Sequence, residues 1–292
     1  MNEAAFAAAA SSAGAAPFIG FVGTTPNIGT TAAAFALAYR IAEASCKPVG
    51  YLCLHLKSAK IHRYIGVDHP EVTLDKLRPE LASCSLSGEK LLRAAYAVKE
   101  LPNLQVLFGN MHRDQAEFFT PEEAEHLIDV ARRSFSIVIA DTGAYWDNAA
   151  TVCAMRLAQS RIVVTTGALT HFQEDGKRWI QQISPLFGIS AEQYETLLIH
   201  PPWGTGGYQM KEVCKELGTA KLGELRLSDT LFAQLDSGKY SQWLKEDSAG
   251  KKAMLEPAKS LMNKHGIRRS FPAVHAQPWY RKLISHRNGV GS

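Results

Sequence analysis

Pro17–Leu37 reads PFIGFVGTTPNIGTTAAAFAL, and the reading of this stretch decides the fold. Phe18 to Val22 is an apolar run of strand length. It enters a loop of Gly, Thr, Pro and Asn, and the Thr30-Thr31 pair then opens an Ala-rich run that reads as helix from Thr31 to Ser45. Strand, glycine loop and helix in this order aim backbone N–H groups and the positive end of a helix dipole at one point, an arrangement that receives phosphate. The lysine that usually accompanies such a loop is missing. A turn that has this shape and binds nothing is the plainer alternative, and the sequence leaves both readings open.

Outward from the loop, strands and helices alternate. Val49 to Leu56 is a nearly continuous apolar run, which suits a parallel strand covered on both faces. Leu104–Phe108, Phe135–Ala140 (ending in Asp141), Ser160–Thr166, Tyr194–His200 and Leu222–Leu227 are further expected strands. Helices are expected over 73–77, 87–98, 148–159, 171–187, 210–217, 228–235 and 255–264, from apolar residues at helical spacing. Thr120-Pro-Glu-Glu is a strong helix start, with Thr at the cap, Pro in the first turn and Glu at the third position. The alternation predicts an α/β fold: a mainly parallel sheet with helices on both faces. No repeat or Pro/Gly linker divides the body. The expected organisation is an Ala/Ser-rich flexible arm over 1–16, one domain over 17–266 and a basic tail over 267–292.

Composition narrows the class. The 292 residues are 46% apolar, ordinary for a globular protein able to bury a substantial core. Five scattered cysteines without a C-x-x-C pair point to reduced thiols in the cytoplasm and away from a disulfide framework or zinc site. The histidines, His171 and His200 among them, show no metal-ligand spacing. Ala4 to Tyr39 carries no charge, but Pro17, Pro26 and the Ala/Ser/Gly content argue against a spanning helix, and a basic n-region for a signal peptide is lacking. Of the net charge of +4, five cations (Arg268, Arg269, Arg281, Lys282, Arg287) belong to the tail, which has no acid.

The loop and two later motifs resemble the ParA/MinD class of P-loop ATPases, over about residues 18–266. These carry K-G-G-x-G-K-S/T-S/T after their first strand. Laid over it, Thr25 stands for the first lysine, Pro26 and Asn27 for the two glycines, and Ile28 for the variable position. Gly29 matches, Thr30 stands for the second lysine, and Thr31 matches the hydroxyl that binds Mg²⁺. The family's D-x-D after strand two is His55-Leu56-Lys57, with a cation where the water-orienting carboxylate belongs. Asp141-Thr142-Gly143 resembles the D-x-P-x-G at the metal and γ-phosphate end, and Leu222–Asp229 with Gly238-Lys239 resembles the segment near the adenine.

The resemblance implies ATP, with Mg²⁺ at Thr31 and Asp141, as the ligand, held weakly if it binds. Nucleotide-binding candidates are Thr25, Pro26, Asn27, Ile28, Gly29, Thr30, Thr31, Lys57 and Asp141. With both loop lysines and the water-orienting Asp replaced, efficient ATPase activity is not expected and no residue is assigned a catalytic role. Lys57 is the one candidate to compensate, although a solvated strand end is the simpler reading of His55 and Lys57. For Asp141 a capping or turn role is as good a reading as a metal role. Asn27–Thr31 is closest to the G-V-G-S/T-T-T variant of TadZ/CpaE-type pilus-assembly and localisation proteins. The resemblance therefore implies a non-catalytic localisation or scaffold protein, a homodimer with a protein partner, in the cytoplasm or at the membrane periphery. An active ATPase that positions cargo on DNA or membrane, using compensating residues, is the alternative; an enzyme for another phosphorylated ligand is a third. Pro201–Tyr208 reads as a partner surface or an adenine-side loop. The basic tail, with Pro278-Trp279-Tyr280, would suit an anionic membrane, nucleic acid or plain solvent.

Overall fold

The computed structural model of the chain describes residues 15–202 and 207–270. Its strands are β1 (Phe18–Gly23), β2 (Val49–Cys53), β3 (Tyr96–Val98), β4 (Leu101–Leu107), β5 (Ile137–Asp141), β6 (Ser160–Thr166), β7 (Tyr194–His200) and β8 (Ala220–Arg226). They form one sheet in the order β3-β4-β2-β5-β1-β6-β7-β8. Every pairing is parallel except that of β3 with β4 at one edge. The α/β architecture with a mainly parallel sheet is therefore the observed one.

The helices are α1 (Thr30–Ser45), α2 (Ile61–Tyr64), α3 (Arg78–Ala82), α4 (Gly88–Ala94), α5 (Pro121–Ser134), α6 (Ala149–Leu157), α7 (Met210–Leu217), α8 (Asp229–Asp236), α9 (Tyr240–Glu246), α10 (Ser248–Lys252) and α11 (Leu255–Lys264). They cover both faces. Alternate residues of each strand point to opposite sides, so Ile19, Phe21, Tyr51 and Ile139 pack with α1, α8, α9 and α11. Phe18, Val22, Leu52 and Val138 pack with α5, α6 and α7 on the other side. Strand β1 is buried along its whole length, and burying one Phe or Ile contributes about 1.5–3 kcal/mol. That burial fixes the height at which the loop after β1 emerges.

The capping signal at Thr120 is realised. Its Oγ1 accepts from the Glu123 N–H at 3.3 Å, and a Glu123 carboxyl oxygen accepts from the Thr120 N–H at 2.8 Å. Several expectations need correction. Strand β2 stops at Cys53 rather than Leu56, because its neighbour β5 stops opposite it at Asp141. Helix α4 ends at Ala94, and Tyr96–Val98 turns extended to pair with β4; an available sheet edge outweighs helical spacing there. Residues 171–187 are not one α-helix. Thr170–Gly176 and Arg178–Ile183 have wide π-type turns, followed by a 3₁₀ turn over Ser184–Phe187. Helices α9 and α10 have no counterpart in the sequence reading.

At the boundaries, Ala16 belongs to the body: it is buried and exchanges hydrogen bonds with Arg132 at 3.0 and 3.1 Å. At the other end Ile267 packs on the core, and the Ser270 N–H donates to Ala44 O at 2.9 Å. The arm up to residue 14 and the tail from 271, with its expected membrane or nucleic-acid contacts, lie outside the described residues. Among the described residues no helix is long and apolar enough to cross a membrane.

Candidate phosphate-loop site

Strand β1 lies between β5 and β6, and the chain leaves it over one face by α1 while β5 connects to β6 over the other by α6. A crevice at the carboxyl ends of the strands is the result, where α/β sheets take ligands. The loop 23–29 fills its floor. The Gly23 N–H donates to Gly143 O at 2.6 Å and the Thr24 N–H to Val164 O at 2.9 Å, tying the loop to its neighbours on both sides. Gly29 has φ +103°, a conformation that side chains resist, and a Cβ there would lie 2.9 Å from Leu227. It opens α1 without a side-chain cap and with no acidic residue in the first turn. The first-turn N–H groups of α1 thus face the crevice with the positive end of the dipole behind them.

The crevice encloses about 240 Å³. It is lined by Thr25, Pro26, Asn27, Gly29, Thr30 and Thr31 with His55, Ser58 and Lys60, and by the larger side chains of Tyr64, Leu227, Phe232 and Leu235, with Asp236. Six of the nine residues singled out from the sequence come together here. Ile28 does not line the crevice; it is buried in the core under α1. The hydroxyl of Thr25 donates to Asp175 at 2.6 Å. Thr30 is buried, with its hydroxyl against Gly23, where a Cβ would lie 2.5 Å from it. Neither threonine replaces an ammonium.

Lys57 is elsewhere. Its ammonium bonds Asp147 at 2.6 Å and lies 5.3 Å from the Tyr145 ring centre, away from the residues that line the crevice. The cation at the loop is Lys60, whose Nζ donates to Asn27 Oδ1 at 3.0 Å. Sequence reasoning passed over Lys60 because no family motif reaches it, and only the turn after Ser58 carries it back. His55 also differs from the solvated strand end expected of it. Half-buried, it accepts from the Ser58 N–H at its Nδ1 at 3.1 Å and meets the Tyr145 ring edge-on at 5.6 Å. It packs so closely on Gly143 that a Cβ there would lie 2.3 Å from the imidazole. Burial pushes its pKa down; nearby Asp141 pulls the other way and Lys60 adds to the lowering.

Asp141 has no exposed surface, and one carboxyl oxygen accepts from the Tyr51 hydroxyl at 3.0 Å while the other accepts from the Gly143 N–H at 3.1 Å. Burial, and then Asp141 itself, push the Tyr51 pKa up, so the phenol stays a donor. A hydrated Mg²⁺ needs an oxygen it can reach. Thr31 lines the crevice, but Asp141 does not, and this donor set does not fit the metal. Among the described residues no cluster of three His, Cys, Asp or Glu offers another metal site. In the loop 201–208, Tyr208 meets Phe172 at 5.2 Å and its N–H donates to Gly167 O; Trp203 lies outside the described residues.

No protein-family model matches the chain. Nor does any curated protein sequence. Solved structures do match it in shape. A ParA family ATPase from Chlorobium tepidum superposes with a TM-score of 0.71 at 18% identity, over 84% of this chain and 99% of that one. The septum site-determining protein MinD of Pyrococcus horikoshii, solved with Mg-ADP, gives 0.68 at 17% identity, over 86% and 98%. MinD in the MinC:MinD cell division complex of Aquifex aeolicus gives 0.67 at 14%, over 88% and 98%. The fold is that of the ParA/MinD P-loop ATPases.

Proposed function

We propose that this chain is a non-catalytic localisation or scaffold protein built on the ParA/MinD fold, with weak nucleotide binding and no efficient ATPase activity. One observation carries the reading: at both places where the family has a loop lysine there is a threonine, one bonded to Asp175 and one buried against Gly23. What the loop motif itself still offers a phosphate is the backbone and the helix dipole, worth about 0.3–1 kcal/mol per charge at exposed sites and up to about 2 kcal/mol when partly buried. Hydrolysis further needs a positioned water and stabilised transition-state charge. Lys57 stands where the family orients that water, and it is bonded to Asp147. A working ATPase finds no support there.

The likeness to MinD, solved with MinC in one complex, supports a protein partner for this chain as well. The finer proposal is a homodimer that positions pilus or secretion machinery in the manner of TadZ/CpaE proteins. It rests on the match over Asn27–Thr31. The proposal includes a location in the cytoplasm or at the membrane periphery, with the basic tail as the contact to an anionic membrane or nucleic acid. A fluorescent fusion in the native host tests the proposal. A discrete position that survives Thr31→Ala is expected of a scaffold, whereas a position lost with that hydroxyl points to nucleotide-driven placement.

A further inference from the structure

The crevice contains two donors that the phosphate-loop motif does not supply. Lys60 Nζ sits at 3.0 Å from the side chain of Asn27, directly over the loop. It is exposed, its bond is to a neutral amide, and among the described residues that line the crevice it is the only lysine or arginine. An ammonium held by a neutral acceptor keeps its full charge for an incoming anion. The second donor is His55. Because the Ser58 N–H occupies Nδ1, the neutral ring carries its proton on Nε2. That Nε2 lies against Gly143, where a Cβ would be 2.5 Å from it, and both residues line the crevice. Asp236 also lines the crevice. Asp141, the oxygen donor a metal would need, is bonded to Tyr51 and Gly143 and has no exposed surface.

We propose that this crevice binds a phosphate-bearing ligand without a divalent cation, Lys60 supplying the positive charge and the His55 Nε2–H a directed hydrogen bond. The inference rests on the reading of the crevice as a non-hydrolytic phosphate site and names the residues that make it one. A carboxylate at this end of β2 would accept a proton from water and aim it. An N–H donor instead holds a phosphate oxygen and leaves water unactivated. Binding without turnover is what such a pair can do.

ATP is the probe, titrated into the full-length protein by calorimetry in EDTA and again in excess MgCl₂. Binding is expected to be tighter in EDTA than in MgCl₂, because Mg²⁺ held by ATP in solution competes with a site that takes the phosphates without a metal. Lys60→Ala is expected to weaken binding about tenfold or more in both buffers, the loss of a charge-assisted hydrogen bond, and Lys60→Arg to restore most of it. His55→Leu is expected to weaken it by about three- to tenfold, and His55→Gln, which keeps a donor, by less. Lys60 is exposed, so its variants report binding rather than folding. Binding that requires Mg²⁺, binding indifferent to Lys60→Ala, or no binding of ATP in either buffer would each overturn the proposal. Phosphate release from the same samples is a separate readout. Release overturns the non-hydrolytic reading, whereas Mg²⁺-dependent binding without release overturns only the metal-free site.

Discussion

Tyr51 and Asp141 form a buried pair on neighbouring strands, and the phenol holds the carboxyl group at the end of β5. Removing that hydroxyl leaves a buried oxygen without its donor, which costs about 1–3 kcal/mol. Tyr51→Phe is therefore expected to lower the urea-unfolding free energy by that amount, and an unchanged midpoint would show that Asp141 finds another partner. The sequence placed Asp141 at a strand end beside the loop, which is where it lies. It could not show that a tyrosine from β2, 90 residues earlier, meets it. Lys57 and Lys60 make the same point. Both follow β2, and only the packing of Asp147 and Asn27 decides which of them faces the loop. Residue types at motif positions were legible; partners drawn from other elements were not.

Among the elements, those with a chemical signal at their ends were the ones read well. Helix α5 starts where Thr120 and Glu123 cap it, and Thr120→Ala is expected to cost about 1 kcal/mol of stability in chemical denaturation. A loss within error of zero would mean that Pro121 and the Glu123–Arg78 contact fix that end without the cap. Strands β1, β5 and β6 were legible because parallel strands buried on both faces are built around short apolar runs. Strand β3 was hidden inside a helical pattern because its conformation comes from β4 rather than from its own residues. Helices α9 and α10 are short, and what holds α10 is tertiary. Arg40 of α1 donates to the carbonyls of Leu244, Gly250 and Ala253 and gathers that region onto the core.

At the scale of the whole molecule, one sheet positions the loop, and the same burial makes the fold sensitive to acid. Burial pushes the pKa of His55, His62 and His265 down from 6.5. Because the unfolded chain binds these protons more readily, their contribution is complete above about pH 6.5 and is lost as pH falls toward the depressed folded values. The urea midpoint is expected to fall between pH 7.5 and 5.5, and less steeply in His62→Phe; a flat profile in the wild type would contradict the assignment. The architecture as a whole was legible because one strand–loop–helix and the alternation that follows it admit few folds. The chemistry of the crevice was not, since it depends on side chains that the turn after β2 carries into place. The proposed function requires that this fold binds ATP without hydrolysing it. Phosphate release from ATP with excess Mg²⁺ tests it most directly: the account predicts no release above the protein-free background, and steady release that disappears in Asp141→Ala would contradict it.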